Sequence, residues 1–166
     1  MANDSSDLPT RAELIGAFMQ EISRMSTWAV MFHQAASLRM GLNPTDGKCL
    51  GVLRETGPLT AGELADLVGL TTGAVTGVID RLEQRGFARR VADPHDRRRV
   101  IIEPVENALQ NAGADVIFGP LAAATQQEFL DRYTDAELMV IVDFVRRGAD
   151  LMKGQTARLQ QQKREA

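Results

Sequence analysis

The sequence predicts a mainly α-helical fold with one small β-hairpin. Three observations carry this. Apolar residues recur at helical spacing through both ends of the chain, two short helical patterns near the middle are separated by a three-residue break, and two β-branched or aromatic segments follow around a turn-forming cluster. With 166 residues and 44% hydrophobic side chains, the chain suits one compact domain or two small ones sharing a core. A charged fraction of 25%, 14 glycines, six prolines and 5% aromatics exclude a disordered or collagen-like chain.

In the first ten residues, Asp4 and Asp7 stand where an export signal needs positive charge and then an apolar stretch, so residues 1–10 read as a disordered tail. From Leu14 the apolar positions Phe18, Ile22, Met25, Ala29, Phe32, Ala36 and Met40 predict a long amphipathic helix over 11–40, stopped by Gly41. Asn43-Pro44-Thr45 caps a second helix over about 45–55, with Cys49, Leu50 and Leu53 turned inward. After the Gly57-Pro58 break, Thr60 and Glu63 have capping-box spacing and Leu59 with Leu64 forms a hydrophobic staple, predicting a helix over 61–68. Gly69-Leu70-Thr71 breaks it. Val75, Val78, Ile79 and Leu82 then mark another helix from Thr72, ended by Gly86.

Residues 87–91 and 99–103 read as two strands flanking the turn cluster Ala92-Asp93-Pro94-His95-Asp96. Beyond Pro104, Leu109, Ala112, Val116, Ala123 and Leu130 keep helical spacing, and Gly119-Pro120 is expected to kink or divide that helix. A second capping box, Thr134 and Glu137, opens a last helix through Leu138, Ile141, Val142, Val145, Ala149 and Met152, with a polar tail from Gln160 expected to fray. A helix-turn-helix followed by a hairpin is a winged helix-turn-helix lobe, here over 42–105. The helices at 11–40 and 106–160 then form a dimerisation region, with a frayed tail at 161–166.

Charge points to what the lobe meets. The net charge is −3, yet residues 81–99 hold seven arginines against three acids, a local +4 on a body of −7. The outer face of the second motif helix offers Thr72, Gly73, Thr76, Gly77 and Asp80. Two glycines weaken a helix by about 1 kcal/mol each relative to alanine, which is easier to understand if a partner's backbone or base edge comes close. Thr71, Thr72 and Thr76 can bond phosphates or base edges, Ala74 lies beside them, and the helix N-terminus attracts phosphate. At the hairpin tip, His95-Asp96-Arg97-Arg98-Arg99 places guanidiniums where a narrow minor groove attracts them, with Asp96 able to pair with a nearby arginine.

Residues 59–105 resemble the multiple antibiotic resistance regulator (MarR) family of bacterial winged-helix transcription factors. The likeness rests on Leu64-Ala65, on Thr71-Thr72-Gly73-Ala74-Val75-Thr76 leading to Asp80-Arg81-Leu82-Glu83, on Arg85-Gly86-Phe87, and on the wing Asp93-Pro94-His95-Asp96-Arg97-Arg98-Arg99. Leu42-Asn43-Pro44-Thr45 and the outer helices extend it over nearly the whole chain. The chain departs from the family's L-T-x-x-G after the second wing strand, having Pro104-Val105-Glu106-Asn107-Ala108. The resemblance implies a homodimer built from the first and last helices, a palindromic double-stranded DNA operator, Arg98 as the minor-groove arginine with Asp96 as its anchor, and release by a small aromatic or phenolic effector. Trp28, Phe32 and His33 lie at the level of such an effector pocket, although the same residues also suit a dimer core.

The expected function is a ligand-responsive, sequence-specific transcriptional regulator, a repressor, with Thr72 and Thr76 on base edges, Arg98 in the minor groove and Arg81, Arg97 and Arg99 mainly on phosphates. The alternative is a winged-helix module for protein association, whose mark would be a neutral wing and a bulky or acidic outer helix face. No nucleophile elbow, phosphate-binding glycine loop, H-E-x-x-H or C-x-x-C occurs, so neither an enzyme nor a cofactor is expected. One cysteine and two histidines exclude an intramolecular disulfide and any familiar zinc spacing. Cys49 reads as a buried structural residue, and a reducing, cytoplasmic setting without membrane insertion is expected.

Overall fold

The computed structural model describes residues 8–94, 96 and 98–165; the predicted tail over 1–7 and the wing residues His95 and Arg97 lie outside them. Helix α1 spans Arg11–Arg39. Thr10, which the sequence reading left in the tail, is its cap: the hydroxyl accepts from the Glu13 backbone N–H at 3.3 Å, and the Glu13 carboxylate accepts from the Thr10 backbone N–H at 2.8 Å. Helix α2 spans Pro44–Thr56, with Pro44 in the first turn, where its missing N–H costs nothing, and Asn43 Oδ1 accepting from the Asp46 backbone N–H at 2.9 Å.

Helices α3 (Ala61–Val68) and α4 (Thr72–Gln84) form the helix-turn-helix. Thr60 and Glu63 complete the predicted box on α3, and Thr71 caps α4 by accepting from the Ala74 N–H at 3.2 Å. Between them Gly69 has φ of 72°, a left-handed conformation that a side chain would strain. The stripe Val75, Val78, Ile79 and Leu82 is buried as the spacing predicts, against Leu53, Leu64 and Ile102 in one continuous core.

The hairpin comprises β1 (Ala88–Ala92) and β2 (Val100–Pro104), each one residue later than expected, paired antiparallel from Ala88 opposite Pro104 to Ala92 opposite Val100. Leu59, read from sequence only as a staple residue, also exchanges backbone hydrogen bonds with Ile102 at 3.1 and 2.7 Å. The wing is thereby tied to the segment that enters α3.

The C-terminal region is more divided than the sequence suggested. Helices α5 (Ala108–Asn111) and α6 (Ala114–Ala124) are separated at Gly113, whose φ is 79°. The division expected at Gly119-Pro120 does not occur, because the helix runs through Pro120 to Ala124 and the left-handed glycine upstream makes the break. Where the chain departs from the family pattern, Asn107 takes φ of 62° and α5 starts at the next residue. A π-helical segment (Thr125–Phe129) and a 3-10 turn (Leu130–Arg132) lead to α7 (Asp135–Glu165), opened by the predicted Thr134 and Glu137 box. The polar end from Gln160, expected to fray, stays helical to Glu165.

Burial divides the molecule. The lobe from α2 to β2 holds most of the buried core, whereas α1 and α7 leave large apolar side chains in solvent, among them Trp28, Met31, Met139, Val140 and Met152. Phe18 and Phe144 form an edge-to-face pair at 5.2 Å between these two helices. Among the described residues no helix is long and apolar enough to cross a membrane, and no group of three or more His, Cys, Asp or Glu could hold a metal ion.

Cys49 is fully buried in the α2 face of the core, and burial pushes its thiol up to about 11. The folded protein should resist maleimide or iodoacetamide at about pH 8 and react once unfolded. Stoichiometric labelling of the native protein within minutes would show that Cys49 is accessible.

Candidate nucleic-acid interface

Thr71, Thr72, Gly73, Ala74 and Thr76 are exposed along the first turns of α4, and Gly77 is half-exposed, so the structure brings these predicted residues onto one open face. Two of the three threonine hydroxyls are engaged within the helix: Thr71 Oγ1 accepts from Ala74, and Thr76 Oγ1 donates to the Thr72 carbonyl at 2.9 Å. The glycines differ. A Cβ on Gly73 would meet nothing within 4 Å, whereas one on Gly77 would stand 3.4 Å from Arg81 Nη1. The second is an ordinary contact distance, so neither glycine is required by packing inside the chain.

Arg81 is held by Asp46 across the α2 and α4 contact. Its Nε donates to Asp46 Oδ2 at 2.9 Å and its Nη2 to Oδ1 at 2.7 Å, a two-pronged grip on a carboxylate that is 0% exposed. The Asn43 side-chain amide adds a third donor to Asp46 at 2.7 Å. The hydrogen bonds that Arg81 donates to Asp46 raise its pKa above the usual range, and the guanidinium stays charged. The sequence reading placed Arg81 at the interface and did not single out Asp46. A signal was present: Asp46, Cys49, Leu50 and Leu53 share one helical stripe, so an acid sits on the apolar face of α2 and requires a cation there.

Arg89, Arg90 and Arg99 are also tied to acids. Arg90 on β1 donates to Asp80 Oδ1 at 2.6 Å and pairs with Glu83, and its backbone N–H donates to Glu83 at 2.7 Å, fixing the wing against α4. Arg89 pairs with Glu103 across the hairpin at 2.9 Å. Arg99 reaches Glu63 at 3.3 Å and Asp93 at 3.8 Å, joining the wing base to the first turn of α3. Glu63 is held below the usual carboxylate range, chiefly by the Thr60 backbone and hydroxyl hydrogen bonds of the capping box.

At the wing tip, Asp96 Oδ1 accepts from the Arg98 backbone N–H at 3.0 Å and from Arg98 Nε at 3.4 Å. The Arg98 side chain is 93% exposed, and its guanidinium meets Asp96 at Nε. His95 and Arg97 lie outside the described residues.

A cleft of about 910 Å³ opens between α1, α2, α5 and α6. His33 lines it with Ser37, Lys48, Arg54 and Phe118. Phe32 packs edge-on against Phe118 at 5.6 Å, beside the cleft. Trp28 is not among its lining residues and is 65% exposed.

The comparisons with known proteins agree with this geometry. A family model described as the MarR family matches residues 42–100. The chain is 42% identical over 152 residues to YcgE of Bacillus subtilis, an uncharacterized HTH-type transcriptional regulator, covering 92% of this chain and 97% of that protein. It is 34% identical over 58 residues to the HTH-type transcriptional repressor NicR of Pseudomonas putida, covering 35% of this chain and 37% of that protein. In fold it is similar to a MarR family protein from Bacillus stearothermophilus, with a TM-score of 0.62 at 20% identity over 87% of this chain and 99% of the other.

Removing one partner of the buried pair leaves a charge without compensation. Arg81→Ala and Asp46→Ala should each lower the unfolding free energy by about 3 kcal/mol, the low end for a buried pair because Arg81 is 44% exposed. Urea denaturation by circular dichroism measures this. Losses under about 1 kcal/mol in both variants would mean that solvent already satisfies the pair.

Proposed function

The chain belongs to the MarR family, and from that premise we propose that it is a sequence-specific regulator of transcription that acts as a homodimer on a palindromic double-stranded DNA operator. The observation that carries the reading is the joint exposure of the α4 face and of the wing tip at Arg98, both held on one buried core. In this reading Thr72, Gly73, Ala74 and Thr76 meet base edges in the major groove, and Thr71 with the α4 N-terminus meets phosphate. Arg98 enters the minor groove with Asp96 as its anchor, while Arg81, Arg97 and Arg99 contact phosphates and His95 is a further DNA contact. A neutral wing would favour a protein-association module; this wing is arginine-rich.

Exposed apolar side chains on α1 and α7 support the homodimer. The exposed apolar side chains of α1 and α7 form a surface that a solvated monomer does not keep open, and a second copy buries both at once. Half-sites about one helical turn apart then match the two-fold axis. Repression is the favoured sense, as in the name of the relative from Pseudomonas putida. The cleft bounded by His33 and Phe118 has the size and mixed lining to take a small aromatic or phenolic effector that reshapes the dimer, with Phe32 beside it. Such a regulator works in the cytoplasm, where the DNA is.

The test is a fluorescence-anisotropy titration against a duplex carrying the chain's own upstream region, with a scrambled competitor and two salt concentrations. Tight binding that weakens with salt and resists the competitor is expected. Equal weak binding to both duplexes would favour the protein-association alternative. Arg98→Ala should weaken specific binding by about 10- to 100-fold with little change in thermal stability, since the side chain is 93% exposed and its pair with Asp96 lies in solvent. Unchanged affinity would remove Arg98 from the interface.

Sedimentation equilibrium should give twice the chain mass at micromolar concentration. Replacing Met139 and Val140, both exposed on α7, by glutamate should shift the protein toward monomer and leave the lobe folded. A wild-type monomer would overturn the dimer.

A further inference from the structure

We propose that Asp46 is a positioning residue for DNA binding: it grips one edge of the Arg81 guanidinium and so holds Arg81 at the α4 surface, set to bind a backbone phosphate beside the α4 reading face. This rests on the DNA-binding reading above and adds how one of its contacts is built.

The geometry has three parts. Asp46 uses both carboxylate oxygens on Nε and Nη2, so the planar guanidinium has one edge committed and one nitrogen, Nη1, left outside the pair. Gly73, Gly77 and Arg81 are spaced by four along α4 and therefore lie in one row on its surface. Nη1 lies beside Gly77, where an added Cβ would stand 3.4 Å away, an ordinary contact distance. The anchor is built into the fold: Asp46 is fully buried in the first turn of α2, its backbone N–H donates to Asn43 Oδ1, and its carboxylate accepts from the Asn43 side-chain amide.

An unanchored arginine on a helix surface loses rotamer freedom when it binds a phosphate, and that loss weakens the contact. Here the loss has been incurred on folding. The geometry also accounts for an acid close to a surface meant for an anion. Asp46 has no exposure of its own, while the Arg81 side chain that binds it is 44% exposed, so the pair presents a cation to solvent.

The test compares wild type with Asp46→Asn and with the near-isosteric pair Asp46→Asn/Arg81→Gln, using a 30-base-pair duplex from the chain's own upstream region over a salt series. Wild-type affinity and its salt slope first establish the DNA-binding reading. The pair removes both charges together, avoiding the lone buried charge of a single truncation. It should bind about tenfold more weakly, with a log–log salt slope smaller by about one. Asp46→Asn alone should lose the same unit of slope although Arg81 is still present, which a purely structural role for Asp46 does not predict. The proposal is overturned if the pair binds with wild-type affinity and slope, or if Asp46→Asn keeps the full slope. Should Asp46→Asn fail to fold, Asp46→Glu, which keeps the anchor's charge and changes its reach, should weaken binding by several fold, and wild-type affinity and slope in it would overturn the proposal.

Discussion

A carboxylate with no exposure, sitting on the apolar stripe of a helix, must be answered by a cation or it destabilises the lobe that contains it. Asp46 is answered by Arg81, and much of the architecture between α2 and β2 can be read from that necessity. The pair fixes the rotation of α4 about its axis, because two short hydrogen bonds to a buried acid permit little turning. With α4 so fixed, Val75, Val78, Ile79 and Leu82 face the core and Thr72 and Thr76 face outward. A hydrophobic stripe alone tolerates small rotations, since apolar contacts are not directional. The ion pair removes that tolerance.

The same logic extends to the wing. An arginine-rich hairpin next to an arginine-bearing helix would repel itself, yet the acids are placed where the arginines need restraint: Glu83 and Asp80 on α4 for Arg90, Glu103 across the hairpin for Arg89, Glu63 on α3 for Arg99, and Asp96 in the turn for Arg98. Each exposed pair is weak by itself in water. Together they join α3, α4 and the wing at several points, and the backbone bonds between Leu59 and Ile102 add a join that salt does not screen. The local charge of +4 is thus a set of positioned groups with a small surplus, which suits reading a site better than coating DNA indiscriminately.

What the sequence made legible follows from how local each signal is. The capping boxes at Thr60 and Thr134, the break at Gly69 and the stripe on α4 depend on residues within one or two turns, and they appear where the spacing predicts. Thr10 and Glu13 carry the same box and went unused only because the first ten residues were taken together as a tail. The break in the C-terminal region was misplaced because proline was weighed above glycine; a helix can carry one missing donor at Pro120, but a left-handed Gly113 ends it. The partner of Arg81 lies 35 residues away and was beyond any local rule. Only the question of why an acid occupies an apolar stripe could have found it. Trp28 shows the opposite limit: its level on α1 was legible from helical spacing, but which side of the helix meets the cleft is decided by tertiary packing.

The division between a self-sufficient lobe and unfinished ends has a mechanical consequence at one joint. Gly47 on α2 has no room for a Cβ because the Ser37 side chain of α1 occupies that place, and Ser37, itself buried, donates to the His33 carbonyl at 2.8 Å. Two helices in backbone-close contact at a glycine cannot slide past one another without overlap, so a displacement of α1 is carried to α2 at this point. Gly47 is next to Asp46, and Asp46 holds α4. Ser37, Gly47 and Lys48 also line the cleft, so the cleft borders the joint where α1 meets the lobe. The order along this path is α1, Ser37, Gly47, Asp46, Arg81 and α4, every step a direct contact or a peptide bond. Within one chain α1 is therefore joined to α4 through α2 by a steric contact and an ion pair, two interactions with fixed geometry, and not by apolar packing alone.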